Sequence, residues 1–81
     1  MDIRLYTRRG CHLCELAEDL VALWPADVRL VDVDGDAAAL SRYDLRVPVL
    51  EIDGRVVLEG RFDERALAAA FAAAGEVRGR D

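Results

Sequence analysis

Leu5-Tyr6-Thr7-Arg8-Arg9-Gly10-Cys11-His12-Leu13-Cys14 leaves a strand, crosses a short loop and enters a helix. Ile3 and Leu5 alternate with Arg4 and Tyr6, so Asp2 to Tyr6 reads as a strand with two different faces. Thr7 to Gly10 is a polar loop. From Cys11 onward Leu13, Leu16, Ala17, Leu20 and Trp24 recur at helical spacing, with Glu15, Glu18 and Asp19 on the other side and Pro25 as the stop. Val28 to Val33 is a β-branched, largely apolar run bounded by Asp27 and Asp34-Gly35, which predicts a buried strand. A helical crossover lets it pair parallel to the first strand, giving a βαβ unit.

The rest of the chain adds a second half. Asp34 or Asp36 can cap a short helix through Ala37, Ala38, Ala39 and Leu40 to about Tyr43. Val49 to Ile52 and Arg55 to Leu58 flank Asp53-Gly54, a dipeptide suited to the positive φ angles of a type I′ turn, so these two strands form a hairpin. Asp63 can cap a last helix whose Leu67, Ala70, Phe71 and Ala74 make one apolar stripe, with Gly75 as its C-terminal cap and Glu76 to Asp81 as a frayed tail. The expected order is β-α-β-α-β-β-α around a four-stranded mixed sheet, in one domain spanning residues 1–81.

Composition narrows the functions this domain can have. Eighty-one residues support one small core, and 53% apolar with 33% charged residues and two prolines describe a globule rather than a disordered chain. The net charge of −5, with all eleven basic residues arginine, argues against generic nucleic-acid binding. Residues 1–14 nevertheless carry +2, with Arg4, Arg8 and Arg9 against Asp2, so a basic patch surrounds the cysteines. No run approaches the ~20 apolar residues of a membrane span, and Asp2, Arg4, Arg8 and Arg9 interrupt any signal-peptide core. The expected compartment is a reducing cytoplasm, where a cysteine pair is more often catalytic or metal-binding than a structural staple.

Cys11 and Cys14, three residues apart on a first helical turn, are close enough to form a disulfide. The unpaired N–H groups and dipole at the helix start favour an anion at Cys11, and Arg8 and Arg9 add positive charge, so its pKa is expected below the ordinary value of about 8.5. Cys14, beside Glu15 and a turn from Glu18, is expected to stay a thiol. Three other readings stand beside redox chemistry. The cysteines could be plain core residues. A zinc or iron–sulfur site needs more ligands than one CxxC supplies, so it would require a dimer or an outside thiol. Haem attachment needs histidine directly after the second cysteine, where this chain has Glu15. His12, the one histidine, reads as a half-exposed spacer, Leu13 as a small apolar contact surface, and Tyr6, Tyr43, Trp24 and Phe71 as core or core-edge residues.

Val47-Pro48 opens the third strand, where proline cannot donate to a ladder. Together with the CxxC and the strand order, this X-Pro falls where a thioredoxin-like fold places a cis-proline loop opposite its reactive cysteine. Over residues 2–74 the chain resembles the glutaredoxins, and more closely small bacterial glutaredoxin-like proteins with a CHLC-type motif. The resemblance is carried by Leu5 to Cys14, by Val47-Pro48-Val49-Leu50, and by Gly60 with Asp63.

That resemblance implies a thioredoxin-like, glutaredoxin-type fold and a thiol–disulfide oxidoreductase. Cys11 would be the nucleophile and Cys14 the resolving thiol. Val47, beside Pro48, would offer its backbone to the cysteinyl part of glutathione, Gly60 and Asp63 would hold the γ-glutamyl end, and Arg8 would meet a carboxylate. No tightly bound cofactor is expected, with glutathione as co-substrate, protein or glutathione mixed disulfides as partners, and a monomer that binds neither nucleic acid nor membrane. His12-Leu13 departs from the usual Pro-Tyr spacer. Glu59-Gly60 replaces a glycine pair, so Glu59 would repel a γ-glutamyl carboxylate unless Arg61 screens it. Two alternatives stand beside the oxidoreductase: a non-catalytic thioredoxin-fold module presenting Arg8, Arg9 and Arg46 to an acidic partner, and a dimeric iron–sulfur or metal carrier.

Overall fold

The computed structural model describes residues 1–78. The chain runs through β1 (Ile3–Thr7), α1 (His12–Ala22), β2 (Val28–Asp32), α2 (Ala37–Tyr43), β3 (Val49–Ile52), β4 (Arg55–Glu59) and α3 (Glu64–Arg78), with 3₁₀ turns at Val33–Gly35 and Asp44–Arg46. This is the β-α-β-α-β-β-α order that the sequence pattern gives. The sheet has the order β2-β1-β3-β4, with β1 parallel to β2 and antiparallel to β3, and β3 antiparallel to β4. The fold is thioredoxin-like, a four-stranded mixed sheet with three helices.

Strand alternation divides the interior into two layers. Ile3 and Leu5 of β1, with Leu50 and Ile52 of β3, meet Ala17 and Val21 of α1 and Leu67 of α3. On the opposite face Tyr6 and Val49 meet Val33 and the α2 residues Ala39 and Tyr43. Thus α1 and α3 cover one face and α2 the other. Fully burying an aliphatic side chain stabilises by roughly 1.5–3 kcal/mol, which makes Leu5, Leu50 and Leu67 the main anchors of the larger layer.

Local chemistry sets the element ends. Asp36, rather than Asp34, caps α2 by accepting the Ala39 N–H at 3.0 Å. Asp63 does the same for α3 through the Ala66 N–H at 2.8 Å. Asp53 and Gly54 adopt φ of 51° and 81°, the left-handed pair that a type I′ hairpin turn requires.

Three expectations need correction. Residues 28–32 form an edge strand with Arg29, Leu30 and Asp32 exposed, because β1 rather than β2 is the inner parallel partner. Along α1 the fully buried positions are Cys14, Ala17 and Val21, while Leu16 is 42% exposed, so the apolar stripe is rotated from its expected centre. Gly75 is not a C-terminal cap: α3 continues to Arg78, and Gly75 does not take the positive φ of such a cap. The tail expected from Glu76 therefore begins inside a helix, and residues 79–81 lie outside the described residues. Among the described residues no helix is long and apolar enough to cross a membrane.

Candidate functional site

Register brings three segments to one end of the sheet. Tyr6 is paired with Val49, and Val49 with Glu59, so the loop after β1, the Val47-Pro48 peptide and the turn after β4 share one edge. The Val47–Pro48 bond is cis, and the Gly60 N–H donates to the Pro48 carbonyl at 2.8 Å. Gly60 has φ of 71°, a conformation that glycine adopts without the penalty a side chain incurs.

Cys11 is the N-cap of α1, and its Sγ accepts the Cys14 backbone N–H at 3.2 Å. A serine or aspartate oxygen commonly serves there; here the acceptor is sulfur, so the helix start is aimed at the group that carries the chemistry. Cys11 and Cys14 are joined as a disulfide, their Cα atoms 5.2 Å apart. Cys11 is half-buried whereas Cys14 is fully buried. Only the first sulfur is presented to an incoming molecule. His12 is more exposed than its reading as a spacer required, with its Nδ1 3.8 Å from a Glu15 carboxylate oxygen.

The arginines near this end are already engaged. Arg8 donates from Nε and Nη2 to both oxygens of Asp34, at 2.9 and 3.1 Å, and from Nη2 to Asp44 Oδ1 at 2.8 Å. Its Nη1 also donates to the Asp44 carbonyl at 3.2 Å. Hydrogen bonds to Asp34 and then Asp44 raise the Arg8 pKa, and the guanidinium ties the loop before Cys11 to both 3₁₀ turns. Arg46 forms a two-pronged pair with Glu59, both contacts at 2.9 Å, which holds the Glu59 carboxyl below its usual range. The partner of Glu59 is thus Arg46, brought alongside by the 3₁₀ turn at Asp44–Arg46, and the screening considered for Arg61 comes from this more distant arginine. With Arg4 paired to Asp2 and Arg8 to Asp34 and Asp44, most of the basic patch counted along the sequence is neutralised in space.

Pro48 is fully buried, Val47 half-buried, and Asp63 exposed with one carboxylate oxygen committed to the α3 cap. These residues share the Cys11 end of the sheet, while the Arg8 head is turned to Asp34 and Asp44. Among the described residues no group of three or more His, Cys, Asp or Glu side chains is placed to hold a metal ion.

Sequence reasoning missed a buried polar cluster on the other face of the sheet. Glu51 is 3% exposed, accepts from Tyr6 Oη at 3.2 Å and from Tyr43 Oη, and has Arg42 Nη1 3.7 Å away. Burial, reinforced by the bond to Glu51, pushes the Tyr43 phenol up to about 12. The signal was an acid between Leu50 and Ile52 in an otherwise apolar strand.

A family model described as a glutaredoxin-like domain (DUF836) matches residues 2–72. Among solved structures, protein XcR50 from X. campestris is 41% identical with a TM-score of 0.77, over 88% of this chain and 96% of that one. The thioredoxin-like protein BC3987 is 30% identical with a TM-score of 0.68, over 85% and 99% of the two chains. Thioredoxin 1 from Thermosipho africanus TCF52B, 14% identical over 98% and 99% with a TM-score of 0.67, shares the fold. No curated protein matches the chain.

Proposed function

The chain belongs to the glutaredoxin-like domain family, and from that membership and the placement of its cysteines we propose that it is a thiol–disulfide oxidoreductase. One observation carries the reading: Cys11 caps α1 with its sulfur on the Cys14 N–H, half-exposed, while Cys14 is sealed beneath it. In the dithiol form the same N–H and the helix dipole favour the Cys11 thiolate, which places its pKa below about 8.5.

The thiolate attacks one sulfur of a substrate disulfide. A Cys11–substrate disulfide forms, and the other substrate sulfur leaves as a thiolate that takes up a proton. Cys14 then loses its proton and attacks Cys11 Sγ, forming the Cys11–Cys14 bond and releasing the second substrate thiol. Two electrons pass from the protein dithiol to the substrate disulfide. A reducing thiol of the cytoplasm returns the protein to the dithiol.

Glutathione is the co-substrate implied by family resemblance, and Val47, Gly60 and Asp63 stand at the Cys11 end of the sheet. Its carboxylates, however, would find Arg8 and Arg46 already paired to carboxylates, so polypeptide disulfides suit this site better than glutathione adducts. The test is the reduction of a small neutral disulfide, bis(2-hydroxyethyl) disulfide, with dithiothreitol as the electron source. Cys11→Ser is expected to abolish turnover, and Cys14→Ser to trap the mixed disulfide at Cys11, visible as a mass adduct. Wild-type turnover in Cys11→Ser would overturn the proposal.

A further inference from the structure

A groove of about 800 Å³ runs between α1 and the turn joining β4 to α3. Its apolar lining comes from Leu16, Leu20, Leu23, Leu58 and Phe62. Leu16 is 42% and Leu23 83% exposed. Single exposed leucines are ordinary; here several line one concave face, a shape suited to holding an apolar group.

The rim of the groove is mostly acidic. Asp19, Asp63 and Glu64 line it, and the side chains of Asp19 and Glu64 are in no ion pair among the described residues. Glu59 is held by Arg46, leaving Arg61 as the only basic lining residue. An acidic rim over an apolar channel complements a segment with basic and apolar side chains, and repels an anionic one.

Measured along α1, the groove begins about one to two turns beyond the reactive sulfur. At about 1.5 Å per residue along α1, Leu16 stands about 7.5 Å and Leu23 about 18 Å from Cys11. An extended chain advances about 3.3 Å per residue, so a segment whose cysteine is at Cys11 would enter the groove about two residues away and leave it after about five. We infer that this groove seats an extended, apolar and cationic segment of a polypeptide substrate, flanking the cysteine of the disulfide to be reduced. The inference rests on the oxidoreductase reading and names the substrate class of that same site.

The test uses peptides with one cysteine held as a mixed disulfide with 5-thio-2-nitrobenzoate, whose release is followed by absorbance, with dithiothreitol returning the enzyme to its dithiol. One peptide carries Arg and Leu two to five residues from the cysteine, and a second carries Glu in place of Arg. The cationic peptide is expected to show about tenfold higher kcat/KM, the low end of electrostatic steering, with the advantage shrinking as salt is added. In the pair D19K/E64K, both at exposed positions, the ratio between the peptides should fall to about one or invert. Leu23→Ser, which is too exposed to disturb the core, should raise KM for the leucine-bearing peptides.

Equal rates for the two peptides, with bis(2-hydroxyethyl) disulfide still reduced, would overturn the groove inference and leave the oxidoreductase standing. Failure to reduce any of these disulfides would instead overturn the oxidoreductase itself. Preference for glutathione disulfide over the cationic peptide, or a dimer in sedimentation that Leu23→Ser dissolves without changing peptide rates, would also remove the groove as a substrate site.

Discussion

Replacing Glu51 by leucine removes the acceptor shared by two buried phenols. Tyr6 is 2% and Tyr43 5% exposed, and both donate to the Glu51 carboxylate from inside the layer under α2. A hydrogen bond to a charged group contributes about 1.5–3 kcal/mol, so the two together are worth about 3–6 kcal/mol. Leucine returns part of this by burying apolar surface, roughly 1.5–3 kcal/mol, for a net loss of about 1.5–3 kcal/mol. Small domains have about 5–15 kcal/mol in all, so a substantial part of the stability is at stake. Urea unfolding followed by Trp24 fluorescence suits the measurement, since that ring stacks on Phe71 with centroids 5.4 Å apart. With a slope of about 1 kcal/mol/M, the midpoint should fall by about 1.5–3 M. The sharper comparison is the triple variant Y6F/Y43F/E51L, which takes away donors and acceptor together. It should recover much of the loss, because buried polar groups cost most when only one partner is removed. A midpoint for Glu51→Leu within about 0.5 M of wild type, or a triple variant weaker than Glu51→Leu, would refute this reasoning.

Further outcomes follow from other contacts. Because burial raises the Tyr43 pKa to about 12, its contribution to stability is fully present below about pH 10 and is lost as pH rises through about 12; unfolding measured against pH should show that loss, and Tyr43→Phe should remove it. The Arg46 pair depresses the Glu59 pKa, so its contribution is present above the ordinary carboxylate range and fades as pH falls; Arg46→Gln should move the Glu59 titration upward in an NMR titration. Asp36→Ala should cost about 1 kcal/mol in chemical unfolding through loss of the α2 cap, and Asp36→Gly only a few tenths. Gly54→Ala, with φ at 81° in the hairpin, should cost roughly 1–2 kcal/mol in the same assay.

The element order was legible because it depends on local signals. Asp53-Gly54 sets the hairpin, Asp36 and Asp63 mark helix starts, and the Cys11-to-Trp24 periodicity makes the crossover helix. What failed depends on tertiary placement. Val28 to Val31 has the composition of an inner strand, and only the pairing of β1 with β3 makes it an edge. Arg8 looked available because Asp34 and Asp44 are distant in sequence, and a charge count by segment cannot see that a loop and two turns converge. Gly75 carries the residue type of a helix stop without the conformation. At the site, the CxxC spacing was readable, whereas the exposure difference between Cys11 and Cys14 depends on which side of α1 faces the core.

The exposure of β2 bears on how copies of this protein tolerate one another. An outer strand offers a row of unpaired backbone groups to any other chain, and is a recognised route to aggregation. Both outer strands here are five residues long. Arg29 and Asp32 project from one, Arg55 and Glu59 from the other, and all four are exposed. A second molecule aligning strand to strand would have to accommodate these charges within a short ladder. The arginine that interrupts Val28-Arg29-Leu30-Val31 weakens an otherwise apolar run as a core strand, and in doing so guards the sheet against templating fibrils of itself.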